Sequence, residues 1–196
     1  FRYLGIRKFT IFGVSILGFS VLLWIPFWEG KMLENYTQTI QLWFTTFEFN
    51  GSLYNIVRAI GYEVKGYNII RKLGKITPFI TLGLVLLFSL FNSNRRPQQI
   101  FKSMLFFLSC YFFMATTVHP WYIINLIFLG IISGYIYPIL WSLVVFWSYS
   151  AYGVEVVEEK IGWQLGAYLL VYGCFFYELF KGRLGHHLQK SNFFSV

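Results

Sequence analysis

Aspartate is absent from all 196 residues. Charge of either sign is scarce: Asp, Glu, Lys and Arg together make up 12%, about half of the ~25% usual in soluble domains. Cysteine occurs twice and proline five times. Little charge with high hydrophobicity excludes a disordered chain. Two Cys exclude a disulfide scaffold, and both Cys110 and Cys174 lie in apolar runs, where they read as small buried hydrophobes. Motifs of several chemistries are missing: no Gly-rich phosphate loop, no CxxC, no HExxH and no GxSxG. No ligand cluster for a metal is visible, and no cofactor is expected. Met does not open the chain. It begins FRYLGIRKF, which reads as the C-terminal part of a longer protein. A processed precursor is the alternative, but no signal-peptide pattern precedes the first apolar run.

What is present is apolar and aromatic. Hydrophobic residues reach 57% and aromatics 22%, and the mean hydropathy is +0.57. Residues 103–154 form 52 consecutive positions without Asp, Glu, Lys or Arg. No soluble fold of this size hides such a stretch, so the expected class is an all-α, polytopic membrane protein, one helical domain over 1–196. The formal net charge of +8 is spread over several loops. It reads as a report of topology, not as a nucleic-acid footprint.

A crossing needs about 20 apolar residues. Candidate spans are Phe9–Phe27, Ile76–Asn94 (entered through Thr77-Pro78), Ser103–Val118 and Ile161–Phe180. The run Trp121–Gly153 is too long for one span, and Gly130, Gly134 and Pro138 interrupt it. It splits into a short helix, 121–134, and a full one, 136–152, which makes about six crossings. That number puts both basic ends on one side: Arg2, Arg7 and Lys8 with Arg95, Arg96, Lys102, Lys181, Arg183 and Lys190. The short loop 154–160, with Glu155, Glu158, Glu159 and only Lys160, then lies outside.

The segment 29–75 also lies outside. Ile40, Trp43, Phe44 and Phe47 recur at helical spacing, as do Leu53, Ile56, Val57 and Ile60. They predict two short amphipathic helices at the interface. Asn50 or Ser52 can cap the second and Gly61 can end it. A third short piece, Tyr67–Leu73, leads into the second span.

Three constellations on that outer face carry possible chemistry. FEFNGSLY places Glu48, Asn50, Ser52 and Tyr54 close together. A carboxylate between two Phe rings is partly desolvated, which raises its pKa and suits an acid or base; the plain alternative is a capping turn with a solvated Glu. His119-Pro120-Trp121-Tyr122 holds the one His within the charge-free stretch, fixed at a helix break by Pro120; the alternative is an ordinary interfacial His with belt aromatics. Arg58, Lys65, Arg71, Lys72 and Lys75 are cations on the outside, against the positive-inside trend. They suit an anionic ligand such as a lipid-linked phosphate, or simply meet lipid headgroups. Elsewhere, Glu178 reads as a local ion pair near Lys181. Asn125 reads as a cross-helix hydrogen bond, and His186-His187 as a weak metal candidate in the tail.

FEFNGSLYNIVRAIGYEVKGYN, followed some fifty residues later by TTVHPWYIINLIFLG, resembles the C-terminal half of polyprenol-phosphate-mannose-dependent mannosyltransferases. The likeness is to the multi-spanning bacterial members of the GT-C superfamily, of the alpha-mannosyltransferase type, and covers roughly residues 36–150. It implies a membrane protein, of the bacterial inner membrane, with its active site on the extracytoplasmic side. Such enzymes move mannose or another hexose from a polyprenyl-phosphate donor to a lipid or glycan acceptor. The family's acidic catalytic residue normally sits in the first outside loop, and nothing here matches it. The motif histidine maps onto His119, near the donor phosphate. The Glu48–Asn50 block maps onto a loop lining the same chamber.

The residue chemistry is compatible with that expectation. Transfer from a phosphate donor needs the leaving phosphate stabilised and the acceptor hydroxyl oriented and deprotonated. His119 with Arg58, Arg71 or Lys72 can serve the phosphate. Glu48 and Asn50 can hold sugar hydroxyls or assist a base, and Tyr54, Trp121 and Tyr122 can stack on a sugar face. The rival expectation is a non-enzymatic transporter or binder of lipid-phosphate that uses the same cations, with the broken 121–153 hairpin as its hint.

Overall fold

Residues 5–91, 96–153 and 158–181 are described in a computed structural model. His186, His187 and the basic tail lie outside the described residues. The fold is all-α. Helices run Gly5–Trp24 (α1), Met32–Thr46 (α2), Leu53–Lys65 (α3), Ile70–Phe91 (α4), Pro97–Met114 (α5), Ile124–Ser133 (α6), Tyr137–Val144 (α7) and Ile161–Lys181 (α8). Among the described residues no strand forms, and Phe49 and Thr117 make an isolated β-bridge. Two helical stretches, Gly5–Phe27 and Ile70–Leu90, are long and apolar enough to cross a membrane. Pro120–Ser133 is apolar but shorter. At ~1.5 Å per residue it covers roughly 21 Å of the ~30 Å hydrocarbon core.

The chain falls into two compact units, Phe1–Trp43 and Phe44–Val196. In the first, α1 buries none of its side chains. Pro26 stands in the 3-10 turn Ile25–Phe27 that follows α1, where the missing N–H ends the α-helical ladder. The Trp24 ring meets Tyr36 edge-on at 5.4 Å.

The second unit holds the core. Pro97 starts α5, and the Gln99 side chain accepts the Arg96 N–H at 3.2 Å. α5 packs on α6, α6 on α7, and α7 on α8. Aromatic rings fill the space between. Trp141, 1% exposed, stacks on Phe113 at 4.7 Å, and Tyr172 lies 4.5 Å from the same ring. Such ring pairs add about 0.5–1.5 kcal/mol each beyond burial. The buried Tyr137 hydroxyl is satisfied by Ser109 at 2.6 Å.

The long apolar run breaks at Gly134. Its φ of +73° and its N–H to Gly130 and Ile131 close α6 with a left-handed cap. Gly130 then lets the hairpin arms touch: a Cβ there would lie 2.8 Å from Pro138 Cγ. Glu178 holds the start of α7. Its carboxylate, 1% exposed, accepts the Ile136 N–H at 3.0 Å and the Tyr137 N–H at 2.8 Å. Glu178 thus serves as a cross-helix cap, in which a negative group meets free N–H donors and the positive helix end; the Lys181 side chain of the expected ion pair lies outside the described residues.

Other local expectations also change. α3 does not stop at Gly61 but runs on to Lys65, where Gly66 (φ +73°) caps it. Gly61 serves close packing instead, since a Cβ there would sit 2.8 Å from Ile69 Cγ1. Ser52 occupies the N-cap position without capping, because its hydroxyl bonds Tyr172 at 2.8 Å. Tyr67–Leu73 is not a separate piece. α4 begins at Ile70, whose N–H is taken by Asn68 Oδ1 at 2.9 Å. Pro78 thus lies inside α4 rather than at its mouth. Asn125 is exposed and makes no cross-helix bond among the described residues. Cys110 and Cys174 are free and half-buried.

Candidate functional site

Two segments far apart in sequence meet beside each other. Pro120 disfavours helical backbone in the residue before it, and His119 is extended, with φ −78° and ψ 149°. The chain leaving α5 therefore runs straight through Ala115–His119. Phe49 lies alongside it as a parallel bridge to Thr117. The Phe49 N–H donates to Thr116 O at 3.1 Å, and the Val118 N–H donates to Phe49 O at 2.8 Å. The Thr117 hydroxyl adds a bond to Phe47 O at 3.1 Å. The FEFN and TTVHPW blocks are thus one structural feature.

Asn50 is the node where the chain turns away. It is the one described non-glycine residue with positive φ, at 54°, a conformation Asn tolerates better than most. Every polar group of Asn50 is used. Its N–H donates to the Glu159 carboxylate. Its carbonyl accepts the Tyr168 hydroxyl at 2.6 Å. Its side chain donates to Val118 O at 3.2 Å and accepts from Gln164 at 3.4 Å. Gln164 in turn accepts from Asn55 at 2.8 Å. Asn50 is 4% exposed, so it is a structural pivot rather than an open ligand-binding amide.

Glu48 is not an isolated carboxylate between rings. Arg58 and Asn68 both donate to it. Arg58 also lies 3.7 Å from Glu159, so one guanidinium stands between two carboxylates. Burial pulls the Arg58 pKa down, but the hydrogen bond and charge of Glu48 outweigh it and hold the guanidinium above its ordinary value. Tyr54 is 2% exposed and its hydroxyl reaches Asn68 at 3.3 Å. Burial first, and the Glu48 charge second, push the phenol well above its ordinary range. It stays a neutral hydroxyl.

His119 is 5% exposed. Its ring is stacked between Trp121, at 4.2 Å, and Phe49, at 4.9 Å, with Tyr122 edge-on at 5.4 Å. Burial lowers its pKa from the ordinary 6.5, so the imidazole is neutral. Its Nδ1 is buried and has no hydrogen-bond partner, which leaves one ring nitrogen uncommitted. Trp121 is 57% exposed, with an open outer face. Tyr122 packs inward on Phe112 at 5.9 Å.

The expected residues therefore divide. Glu48, Asn50, Tyr54, Arg58, His119, Trp121 and Tyr122 belong to one connected cluster. Arg71 and Lys72 are exposed on the first turn of α4. Lys72 bonds the Tyr67 hydroxyl at 3.0 Å and lowers its pKa. Neither cation meets a carboxylate among the described residues. Sequence reasoning missed Glu159, Gln164 and Asn68. The first two reach the site from more than a hundred residues away, and only their polarity near an apolar helix start marked them. No group of three or more metal-ligating side chains occurs among the described residues.

No protein-family model, curated protein or solved structure matches this chain.

Proposed function

We propose that this chain belongs to a membrane-embedded glycosyltransferase. It moves a hexose, mannose by its resemblance, from a polyprenyl-phosphate donor to a lipid or glycan acceptor on the extracytoplasmic face. The observation that carries the reading is the backbone bridge at Phe49 and Thr117. It joins the two motifs on which the resemblance rests and sets a buried, neutral His119 with an uncommitted nitrogen beside an exposed Trp121. The chain crosses the membrane about six times in this reading, with the hairpin of α6 and α7 supplying its two shorter arms.

The chemistry has three requirements. The acceptor oxygen attacks the anomeric carbon, and the bond from that carbon to the phosphate oxygen breaks. The leaving phosphate keeps the electron pair, and the acceptor proton passes to a base. A neutral imidazole donates its N–H to a phosphate oxygen, and that bond strengthens as charge develops there. Arg71 and Lys72 are free of carboxylates and add positive charge. Glu48 keeps lone pairs beyond those used by Arg58 and Asn68, and these accept sugar hydroxyls. Trp121 offers an exposed ring for a sugar face.

The test is transfer of radiolabelled mannose from polyprenyl-phosphate mannose to membrane lipids by the full-length protein, wild type beside His119→Ala. Loss of transfer with the fold intact is expected. Turnover near wild type removes His119 from the reaction. Movement of the lipid-phosphate across the bilayer with its sugar retained favours the transporter reading, whose support is the broken hairpin at Gly134.

A further inference from the structure

A groove of about 670 Å³ runs between α3 and α8, next to the site. Its walls are Ile56, Ile60, Leu165 and Leu169, each more than half exposed. Its floor is polar, built from the network around Asn55 and Gln164. Almost every polar atom of that floor is committed. The Tyr168 hydroxyl goes to Asn50 O, Ser52 and Tyr172 bond each other, and Gln164 holds Asn55 and Asn50. Asn55 Oδ1 is the exception: it is buried without a donor. An unpaired buried acceptor is costly, so an occupant of this groove gains by bringing a hydroxyl or N–H to it. Asn55 is itself half-buried and lines the groove.

Charge decides the class of head group. The one cation on the groove, Arg58, already stands between Glu48 and Glu159. The trio carries a formal charge of −1. A phosphate adds negative charge to it, and a phosphodiester brings no proton of its own to Asn55 at neutral pH. A neutral sugar or polyol brings several. We propose that the α3–α8 groove binds a neutral, hydroxyl-bearing lipid, with its chain along the isoleucine and leucine walls and its head at Asn55. Resting on the glycosyltransferase reading, this lipid is the sugar acceptor, and the phosphate donor sits elsewhere.

The experiment needs no transfer reaction. Full-length protein in phosphatidylcholine vesicles is photolabelled with a diazirine-bearing monoglucosyl diacylglycerol, and separately with the phosphatidate of the same chains. Expected is labelling of the 56–62 and 165–169 peptides by the neutral probe, at least fivefold over phosphatidate and competed by unlabelled glucolipid. Leu165→Trp, which fills the groove, should cut that labelling at least fivefold at unchanged helicity. Ile56→Trp, on the facing wall, is the second such variant. Asn55→Leu should lower glucolipid labelling to that of sugar-free diacylglycerol. Equal or stronger labelling by phosphatidate overturns the proposal, as does labelling indifferent to both tryptophan variants. Loss of this preference while His119-dependent transfer persists refutes the groove alone. The preference without any transfer refutes the enzyme reading and leaves a glycolipid-binding groove.

Discussion

The left-handed turn at Asn50 can be tested by comparing two substitutions. Asn50→Gly and Asn50→Ala both remove the side-chain bonds to Val118 O and Gln164. Both keep the backbone bonds to Glu159 and Tyr168. They differ in how they adopt φ 54°. Glycine does so freely, whereas a Cβ costs ~1–2 kcal/mol in that region. Glycine also loosens the unfolded chain, which takes back about 0.4–1 kcal/mol. The net expectation is that Asn50→Ala is less stable than Asn50→Gly by about 1 kcal/mol. The lost side-chain bonds cost each variant a further ~0.5–1.5 kcal/mol per bond relative to wild type. For a chain of this size, 1 kcal/mol is roughly 2–4 °C in Tm. Thermal unfolding of the purified protein in detergent, followed by Trp fluorescence, reads the order directly. An alanine variant as stable as the glycine variant, or more stable, refutes the claim that backbone conformation fixes this node. The glycosyltransferase reading adds a second readout. Asn50→Ala should lose more transfer than Asn50→Gly, because a shifted Asn50 pulls Phe49 away from the Thr117 bridge and from His119.

Two other groups give separate predictions. Glu178→Ala strips the acceptors from the Ile136 and Tyr137 N–H groups and should cost about 2–5 kcal/mol, as two buried donors are left bare; Glu178→Gln keeps one acceptor oxygen and should cost less. Unfolding within 1 kcal/mol of wild type for Glu178→Ala would show that the cap contributes little. His119 has a folded pKa below its ordinary 6.5, so the folded state prefers the neutral ring. Its stability contribution is complete above about 6.5, and is lost as pH falls through the lower folded value. A pH series should show wild type destabilised in that window more than His119→Gln. A parallel decline of the two proteins would assign the acid sensitivity to other groups.

Much of the fold was legible because glycine and proline mark where helices must break. Gly134 and Pro138 inside one long apolar run predicted two helices, and the left-handed cap at Gly134 divides them, but the second is not the full helix expected over 136–152: it is α-helical over Tyr137–Val144 and tightens to 3-10 over Val145–Ala151. The same residue types misled where packing overrode them. Gly61 is kept small by Ile69, not by a helix end, and Pro78 is carried inside α4. Neither use differs from a terminus in local sequence. For the site, FEFN and VHPW stood out in the sequence as two separate polar blocks, and the Phe49–Thr117 bridge joins them. Their backbone register was not legible, since a parallel bridge of single residues leaves no periodic trace. The partners of Asn50 and Glu48 were invisible for a related reason. Glu159 and Gln164 acquire their meaning only when the start of α8 is laid against the 48–55 turn.

That juxtaposition also changes how the basic residues are understood. Counted along the sequence, Arg58, Lys65, Arg71, Lys72 and Lys75 are one cationic group facing a candidate anion. In space they divide. Arg58 is the most buried of the five and is held by Glu48 and Glu159. Its charge is spent on ordering the turn. Replacing it would leave two neighbouring carboxylates without their counterion, a structural loss that imitates the loss of a phosphate ligand. Arg71 and Lys72 keep their charge available on the first turn of α4, and Lys72 polarises the Tyr67 hydroxyl. In the proposed transfer, a phosphate ester would meet uncompensated positive charge there, whereas a neutral hydroxylated head would meet the unpaired acceptor at Asn55.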